Sequence, residues 1–238
     1  MAELGTEYVP KPTDFVRQAV QAAVNRPMRL AINNDVPRSR GLGSSAAVMV
    51  AGAAAALRAM GEEPQSQELY ELVAAIEGHG DNAGAAVYGG LVAVADGTLR
   101  HLELSPELSF VFGVPNEPLK TAKARMALPE KMSRRAAARN VARVAFLVEG
   151  LRTGDAAALA EAGGDEIHET HRGRLSPLTG RMMEAALAAG AYHAAWSGAG
   201  PAAVAVTRDP DLVLAALDGV LGERGRAIVL DVDRDGWQ

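Results

Sequence analysis

The sequence predicts an α+β protein whose C-terminal part forms a ferredoxin-like domain. Apolar runs typical of strands occur at 193–197, 202–207 and 226–232, and a helix is predicted at 210–221 between the second and third of them. Another helix, which Gly190 ends, precedes these elements. The order helix, strand, strand, helix, strand over an antiparallel sheet is that of a ferredoxin-like unit.

The N-terminal part is predicted to be mostly helical. Apolar residues at helical spacing predict helices at 13–24, at 45–60 and near 69–77, and a short helical turn at 82–87. Because the 45–60 helix carries small apolar residues all round, we expect it to be buried against a sheet. Alternating character at 28–34 predicts a strand.

Two further strands are predicted to form a hairpin. They lie at 91–95 and 98–104, and the Asp96-Gly97 pair between them is typical of a tight turn. The rest of the chain supplies one strand and two helices, at 108–114, 133–150 and 155–163. We expect an N-terminal domain at 1–106 and a C-terminal domain at 107–238.

Composition limits the possible classes of function. A chain of 238 residues that is 48% hydrophobic and 22% charged is typical of a soluble globular protein. The absence of cysteine excludes disulfides, thiolate metal sites and a cysteine nucleophile. A net charge of −5 argues against nucleic-acid binding. The apolar run at 46–57 is too short to cross a membrane, and no signal peptide is visible, so we expect a cytoplasmic protein.

The strongest functional signal is a Gly-rich loop at 37–47 that leads into the Ala-rich helix predicted at 45–60. Glycines can adopt positive φ, and a helix start offers unpaired N–H groups to an anion such as phosphate. The two serines can cap the helix, bind phosphate or ligate Mg²⁺. An ordinary glycine turn with a serine N-cap is the alternative. The segment comprises Pro37, Arg38, Ser39, Arg40, Gly41, Leu42, Gly43, Ser44, Ser45, Ala46 and Ala47.

Three acidic or amide side chains are candidates for metal or substrate binding. Glu77 shares a helix flank with apolar residues, where a carboxylate is costly unless it is paired or bound to a metal. It is either an Mg²⁺ ligand or a helix-end acid that reaches solvent. Asp81 and Asn82 either contact a substrate hydroxyl or amino group, or merely cap a helix.

Two arginines are candidates for gripping a carboxylate or phosphate. Arg125 and Arg172 lie in polar segments and could bind an anion bidentately, or they could be solvated surface charges. His168 and His171 are three residues apart, but without a third ligand they do not indicate a zinc site. The 197–201 loop is a plain glycine turn, or it packs against the Gly-rich loop or a nucleotide.

Five segments, in order along nearly the whole chain, carry one resemblance. They are P-R-S-R-G-L-G-S-S-A-A at 37–47, E-G-H-G-D-N-A-G-A-A-V-Y-G-G at 77–90, K-T-A-K-A-R at 120–125, H-E-T-H-R-G-R-L-S-P at 168–177 and W-S-G-A-G-P-A-A-V-A-V at 196–206. Together they resemble the GHMP kinase family of small-molecule kinases. This resemblance implies a ribosomal-S5-domain-2-like N-terminal part and a ferredoxin-like C-terminal domain.

The resemblance also implies an activity and a nucleotide site. The activity is ATP-dependent phosphorylation of the L-homoserine hydroxyl, a step toward threonine. The 37–47 loop would wrap the triphosphate of ATP, and Ser45, assisted by Ser44, would hold Mg²⁺ together with Glu77. Phosphoryl transfer depends mainly on positioning and charge neutralisation, so an acidic general base is not required.

For the substrate, the resemblance implies roles for four residues. Asn82, with Asp81, would bind homoserine near its amino or hydroxyl end, and Arg125 and Arg172 would grip its carboxylate. Members of the family commonly form homodimers, so a homodimer is the partner that it implies.

One part of the family's pattern does not occur in this sequence. Members that phosphorylate homoserine begin with a strand and a motif resembling P-x-S-x-A-N-x-G-P-G-F-D. Without that segment we expect an incomplete first domain and weak or absent turnover. Two alternatives stay open: a GHMP kinase acting on another alcohol, and a non-catalytic nucleotide-binding protein.

Overall fold

A computed structural model describes residues 15–26 and 28–238, which fall into two units. Unit 1 holds the described residues up to Pro37, together with Gly43–Leu102 and Val232–Gln238. Unit 2 holds Arg38–Leu42 and Glu103–Asp231. The predicted domains are each one continuous stretch of chain, whereas the two units are not. Part of the Gly-rich loop belongs to unit 2, and the C-terminal tail belongs to unit 1.

Helices make up most of unit 1 in its described part. They are α1 (Phe15–Val24), α2 (Ser44–Ala59), α3 (Ser66–Glu77) and α4 (Asp81–Tyr88), followed by the strands β1 (Leu91–Ala95) and β2 (Thr98–Leu102). The Ala-rich α2 is central, because α1, α3 and α4 all pack against it. The predicted burial of this helix is confirmed, but the described elements that pack against it are helices and not a sheet.

The predicted hairpin is confirmed, and the predicted strand at 28–34 is wrong. Ala95 pairs with Thr98, and Asp96 and Gly97 between them have positive φ values of 49° and 77°, as a tight hairpin turn requires. Residues 28–34 form no strand. A strand needs a hydrogen-bonding neighbour, and in the part of unit 1 that the structure describes β1 and β2 pair only with each other.

Unit 2 is built on a four-stranded antiparallel sheet. Its elements are β3 (Ser109–Pro115), α5 (Thr121–Met126), α6 (Arg134–Thr153), α7 (Ala156–Glu161), α8 (Glu169–Gly173), α9 (Pro177–Ala188), β4 (His193–Trp196), β5 (Ala203–Thr207), α10 (Pro210–Leu221), a 3₁₀ turn (Gly222–Arg224) and β6 (Gly225–Leu230). The strand order β4-β5-β3-β6 is that of a ferredoxin-like sheet. This predicted topology is confirmed.

Local signals explain where several of these helices begin. Ser133 Oγ accepts a hydrogen bond from Ala136 N at 3.1 Å at the start of α6, and Asp155 caps α7 in the same way. Proline occupies the first position of both α9 and α10. The short helices α5 and α8 were not predicted. Within the described residues, no helix has the length and apolarity needed to cross a membrane.

Candidate functional site

The part of the Gly-rich loop in unit 2 is held by hydrogen bonds on two sides. Arg40 Nε donates to Pro115 O at 2.9 Å, and another nitrogen of the same guanidinium donates to Asn116 O. Leu119 N donates to Ser39 O at 3.0 Å, and Ala202 N donates to Arg40 O at 3.1 Å. The Arg40 side chain therefore fixes the loop backbone beside the end of β3.

Gly41 lies directly against the 197–201 turn. Ser197 Oγ donates to Gly41 O at 2.8 Å. Gly41 has a φ of +82°, and a Cβ added there would lie 1.9 Å from Ser197 O and 2.8 Å from Gly200 N. No side chain fits at such distances. Of the alternatives left open for this turn, packing against the Gly-rich loop is the one that the structure shows.

The start of α2 in unit 1 offers backbone N–H groups, not a serine cap. The N-cap residue is Gly43, with a φ of 71° and no capping side chain, so the serine N-cap alternative is wrong. The helical hydrogen bonds begin when Ala47 N donates to Gly43 O at 3.1 Å. The N–H groups of Ser44, Ser45 and Ala46 precede that bond, which leaves them suited to an anion.

The two serines at this helix start have different environments. Ser44 is only 7% exposed, and its Oγ donates to Val36 O at 3.1 Å and accepts from Asn34 Nδ2 at 3.0 Å. Ser45 is exposed. The Ser44 hydroxyl thus holds the preceding turn, whereas that of Ser45 is open to a ligand. The role of Asn34 was missed, because nothing in the sequence pairs it with a residue ten positions away.

Glu77 and Asn82 occupy the ends of two helices that pack against α2. Glu77 is the last residue of α3, is half-buried, and has one carboxylate oxygen shielded from solvent. It is therefore not simply a helix-end acid extending into water. Asn82 lies in the first turn of α4, with its Oδ1 3.6 Å from the position of a Cβ built on Gly43. The structure thus brings Asn82 to the start of α2.

His79 and Asp81 form a hydrogen-bonded pair beside Asn82. His79 Nδ1 lies 2.6 Å from Asp81 Oδ1, and Asn82 N donates to the same oxygen at 2.8 Å. Partial burial raises the pKa of Asp81, but these hydrogen bonds outweigh it and lower the pKa below its ordinary value. The N-cap of α4 is Gly80, so the alternative that Asp81 or Asn82 is the N-cap residue is wrong, although Asp81 does accept a backbone N–H of the first turn. Nothing in the sequence alone indicates this role of His79.

Arg172 is buried, so its interpretation as a solvated surface charge is wrong. It lies on α8 and is 8% exposed. One terminal nitrogen donates to Gly198 O at 2.8 Å, while the buried Nε has no hydrogen-bond partner among the described residues. Burial lowers the pKa of Arg172, because it disfavours the charged form. A buried guanidinium with an unused donor is suited to an anion.

Arg125 lies near enough to Arg172 to affect it electrostatically. It is an exposed residue on α5, and its charge adds to the lowering of the Arg172 pKa, whereas Asp165 acts in the opposite direction. Two like charges in one neighbourhood create a positive potential. An anion such as a carboxylate would relieve their repulsion.

Metal-binding geometry in the described residues is limited to small sets of ligands. No group of three or more His, Cys, Asp or Glu side chains there could hold a metal ion. Ser45 and Glu77 provide two hard oxygen donors, and Mg²⁺ is commonly bound by one or two protein ligands together with phosphate oxygens and water.

Family models match both halves of the chain. The model of the GHMP kinases N terminal domain matches residues 10–90, and that of the GHMP kinases C terminal domain matches residues 147–227. The chain belongs to the GHMP kinase family. Within it, a homoserine kinase of Caldanaerobacter subterraneus subsp. tengcongensis is 39% identical over 223 residues, which cover 90% of this chain and 72% of the relative.

Solved structures agree with this assignment. A homoserine kinase of Cytophaga hutchinsonii superposes with a TM-score of 0.83 and 25% identity, covering 94% of this chain and 79% of that one. The L. major mevalonate kinase has a TM-score of 0.67 and 17% identity, with coverages of 94% and 78%. The second likeness shows the fold alone. The predicted GHMP kinase fold is confirmed, and kinases of other alcohols are more distant than the homoserine kinases.

Proposed function

We propose that this chain catalyses ATP-dependent phosphorylation of the side-chain hydroxyl of L-homoserine, a step of threonine biosynthesis. The products are O-phospho-L-homoserine and ADP. The proposal is supported by curated relatives named homoserine kinase at 39% identity over most of the chain. The structural observation that carries it is the buried Arg172, whose Nε lacks a partner among the described residues.

Arg172 and Arg125 would bind the homoserine carboxylate. A planar guanidinium matches a carboxylate bidentately. The Nε of Arg172, which has no hydrogen-bond partner in the described part of the chain, supplies a donor that Gly198 O does not use. The exposed Arg125 would add a second positive charge. Because a carboxylate does not change charge during the reaction, these contacts act about equally on the ground state and the transition state.

The start of α2 would bind the phosphates of ATP. The N–H groups of Ser44, Ser45 and Ala46 can donate hydrogen bonds to phosphate oxygens. The partial positive charge of a helix N-terminus also favours an anion there. Ser45 Oγ and the Glu77 carboxylate would hold Mg²⁺, and their oxygen chemistry fits that ion. Bound Mg²⁺ would neutralise charge on the phosphate oxygens during transfer.

Asn82 and Asp81 would orient the amino or hydroxyl end of homoserine. The lowered pKa of Asp81 keeps its carboxylate ionised at neutral pH, which suits an ammonium group. In the transfer, the homoserine hydroxyl oxygen bonds to the γ-phosphorus as the bond to the β,γ-bridging oxygen breaks, and the hydroxyl proton is released to water. Such a loose transition state depends on alignment more than on a strong base.

The carboxylate contact can be tested with a substrate that lacks the charge. Homoserinamide keeps the hydroxyl and the amine but replaces the carboxylate by a neutral amide. Arg172→Ala should raise the KM for homoserine roughly 10- to 150-fold, the equivalent of about 1.5–3 kcal/mol, with kcat little changed. The same substitution should leave the KM for homoserinamide nearly unaffected.

Arg174 provides the matched control. It is an exposed arginine two residues further along the same segment, so Arg174→Ala removes an equal charge without opening a buried site. If Arg172→Ala and Arg174→Ala alter the KM for homoserine equally, or if Arg172→Ala weakens both substrates alike, Arg172 does not bind the carboxylate.

A further inference from the structure

We propose that Asn140 and Asp165 are positioning residues that hold α8 so that Arg172 points to its ligand, an inference that rests on the proposed function of Arg172. Neither residue belongs to the motifs that carry the family resemblance. They lie 25 positions apart in sequence and meet only in the folded unit 2.

The helix that carries Arg172 is too short to be stable by itself. α8 has five residues, Glu169–Gly173. A single helical turn gains few hydrogen bonds for the dihedral angles it fixes. The position of α8 must therefore come from contacts outside it, and the residues before its first turn provide them.

Asp165 organises the start of this segment. Its Oδ1 accepts from Ile167 N at 2.8 Å and from His168 N at 3.1 Å, and its Oδ2 pairs with His168 Nδ1 at 2.5 Å. Its backbone oxygen accepts from Glu169 N at 3.1 Å, and His168 O accepts from Arg172 N at 2.8 Å. A chain of bonds thus leads from Asp165 to the backbone of Arg172.

Asn140 ties Asp165 to the long helix α6. Asn140 Nδ2 donates to Asp165 Oδ1 at 2.9 Å, and Asn140 Oδ1 accepts from Glu166 N at 3.1 Å. Glu166 is in turn held by both arms of the Arg139 guanidinium at 2.6 Å and by Arg143 at 3.0 Å. α6 therefore serves as the support on which the turn preceding α8 is fixed.

The charge of Asp165 adds an electrostatic link to Arg172. Hydrogen bonds from His168, Asn140 and Ile167 outweigh burial and hold the pKa of Asp165 well below its ordinary value, so it is ionised at neutral pH. Its negative charge favours the charged form of Arg172. This link accompanies the geometric one and does not replace it.

The first test measures the backbone order of α8 without any substrate. In Asn140→Ala, amide hydrogen exchange of a peptide spanning 166–175 should become about tenfold faster or more, because its anchor is lost. Exchange across α10 should not change. Glu149→Gln is the control, since Glu149 is an exposed residue of the same α6 that pairs with Arg152. Unchanged exchange at 166–175 in Asn140→Ala overturns the proposal.

The second test asks whether the effect on catalysis passes through Arg172. We expect Asn140→Ala to raise the KM for homoserine about 5- to 20-fold with kcat within about twofold of the parent. In an Arg172→Ala background, the same substitution should change KM less than about twofold, because the group it positions is gone. A loss of stability alone would lower the active fraction and leave KM unchanged.

The outcomes separate the two proposals. If Asn140→Ala raises KM equally with and without Arg172, Asn140 acts by another route and the positioning role is wrong. If Arg172→Ala itself leaves KM unchanged, the proposed function of Arg172 fails, whereas the exchange experiment still decides whether Asn140 holds α8.

Discussion

Gly41 is the position where one added methyl group should do most damage to the Gly-rich loop. Its φ of +82° and its approach to Ser197 O leave no room for a Cβ. Gly190 is the matched control in the same unit, because its φ is +95° and an added Cβ would meet nothing within 4 Å. Comparing Gly41→Ala with Gly190→Ala therefore separates backbone strain from steric clash.

The magnitude follows from what each substitution disturbs. Left-handed backbone costs a residue with a Cβ about 1–2 kcal/mol, and both variants incur this cost. Gly41→Ala must in addition displace the loop from the 197–201 turn, which breaks the hydrogen bond from Ser197 Oγ to Gly41 O. A hydrogen bond of this kind contributes about 0.5–1.5 kcal/mol, so Gly41→Ala should destabilise unit 2 by about 1.5–3.5 kcal/mol in total.

Two assays check this prediction. Urea unfolding followed by tryptophan fluorescence in a Trp237→Phe background, where Trp196 in β4 of unit 2 is the remaining tryptophan, should show the larger loss for Gly41→Ala. Titration with a non-hydrolysable ATP analogue should show binding weakened about tenfold or more for Gly41→Ala and less than about twofold for Gly190→Ala. Equal behaviour of the two variants in either assay would refute the packing of Gly41 against the turn or its link to the nucleotide.

Three further predictions concern single side chains. Ser45→Ala should lower kcat on the order of 10²-fold. Ser44→Ala should leave kcat within about threefold and lower the free energy of unfolding by about 1–3 kcal/mol. Kinetics and urea unfolding that show the reverse pattern would contradict the roles given to the two serines. Glu166 has a pKa of about 2, lowered from 4.5 mainly by its hydrogen bond to Arg139, so its stabilisation is present above pH 4.5 and lost as the pH falls toward 2. Glu166→Gln should flatten the acid loss of stability in that range, and an identical pH profile would disprove the pairing. The Arg58 guanidinium lies 5.0 Å from the Trp237 ring centroid, so Arg58→Ala should cost about 0.5–1 kcal/mol. Urea unfolding followed by tryptophan fluorescence in a Trp196→Phe background measures this loss, and no loss would contradict the contact.

The sequence predicted those parts of the fold that depend on local chemistry. Asp96-Gly97 adopts positive φ at both positions because that turn demands it. Pro210 is the first residue of α10, where the sequence predicted that helix to begin. The strand order of unit 2 could be predicted from the order of its helices and strands, because only a few sheet topologies are compatible with that order.

Features that depend on distant contacts were not predictable in the same way. Arg172 is buried and bonds to Gly198 O, 26 residues away, and no local pattern distinguishes it from a surface arginine. Ser44 and Ser45 cannot be told apart from the sequence alone. Ser44 has a structural role because its hydroxyl forms hydrogen bonds with Asn34 and Val36. The alternating segment at 28–34 has no partner strand among the described residues, and β propensity becomes a strand only where such a partner is present.

Single-turnover phosphorus NMR tests the central claim most directly. The chain, at a concentration near that of its substrates, would be incubated with ATP, Mg²⁺ and L-homoserine, because an excess of enzyme reveals even slow transfer. We predict a new phosphomonoester resonance that matches O-phospho-L-homoserine and grows in step with ADP. ADP formed together with free phosphate in place of the monoester, or no ADP although ATP is bound, would contradict the account.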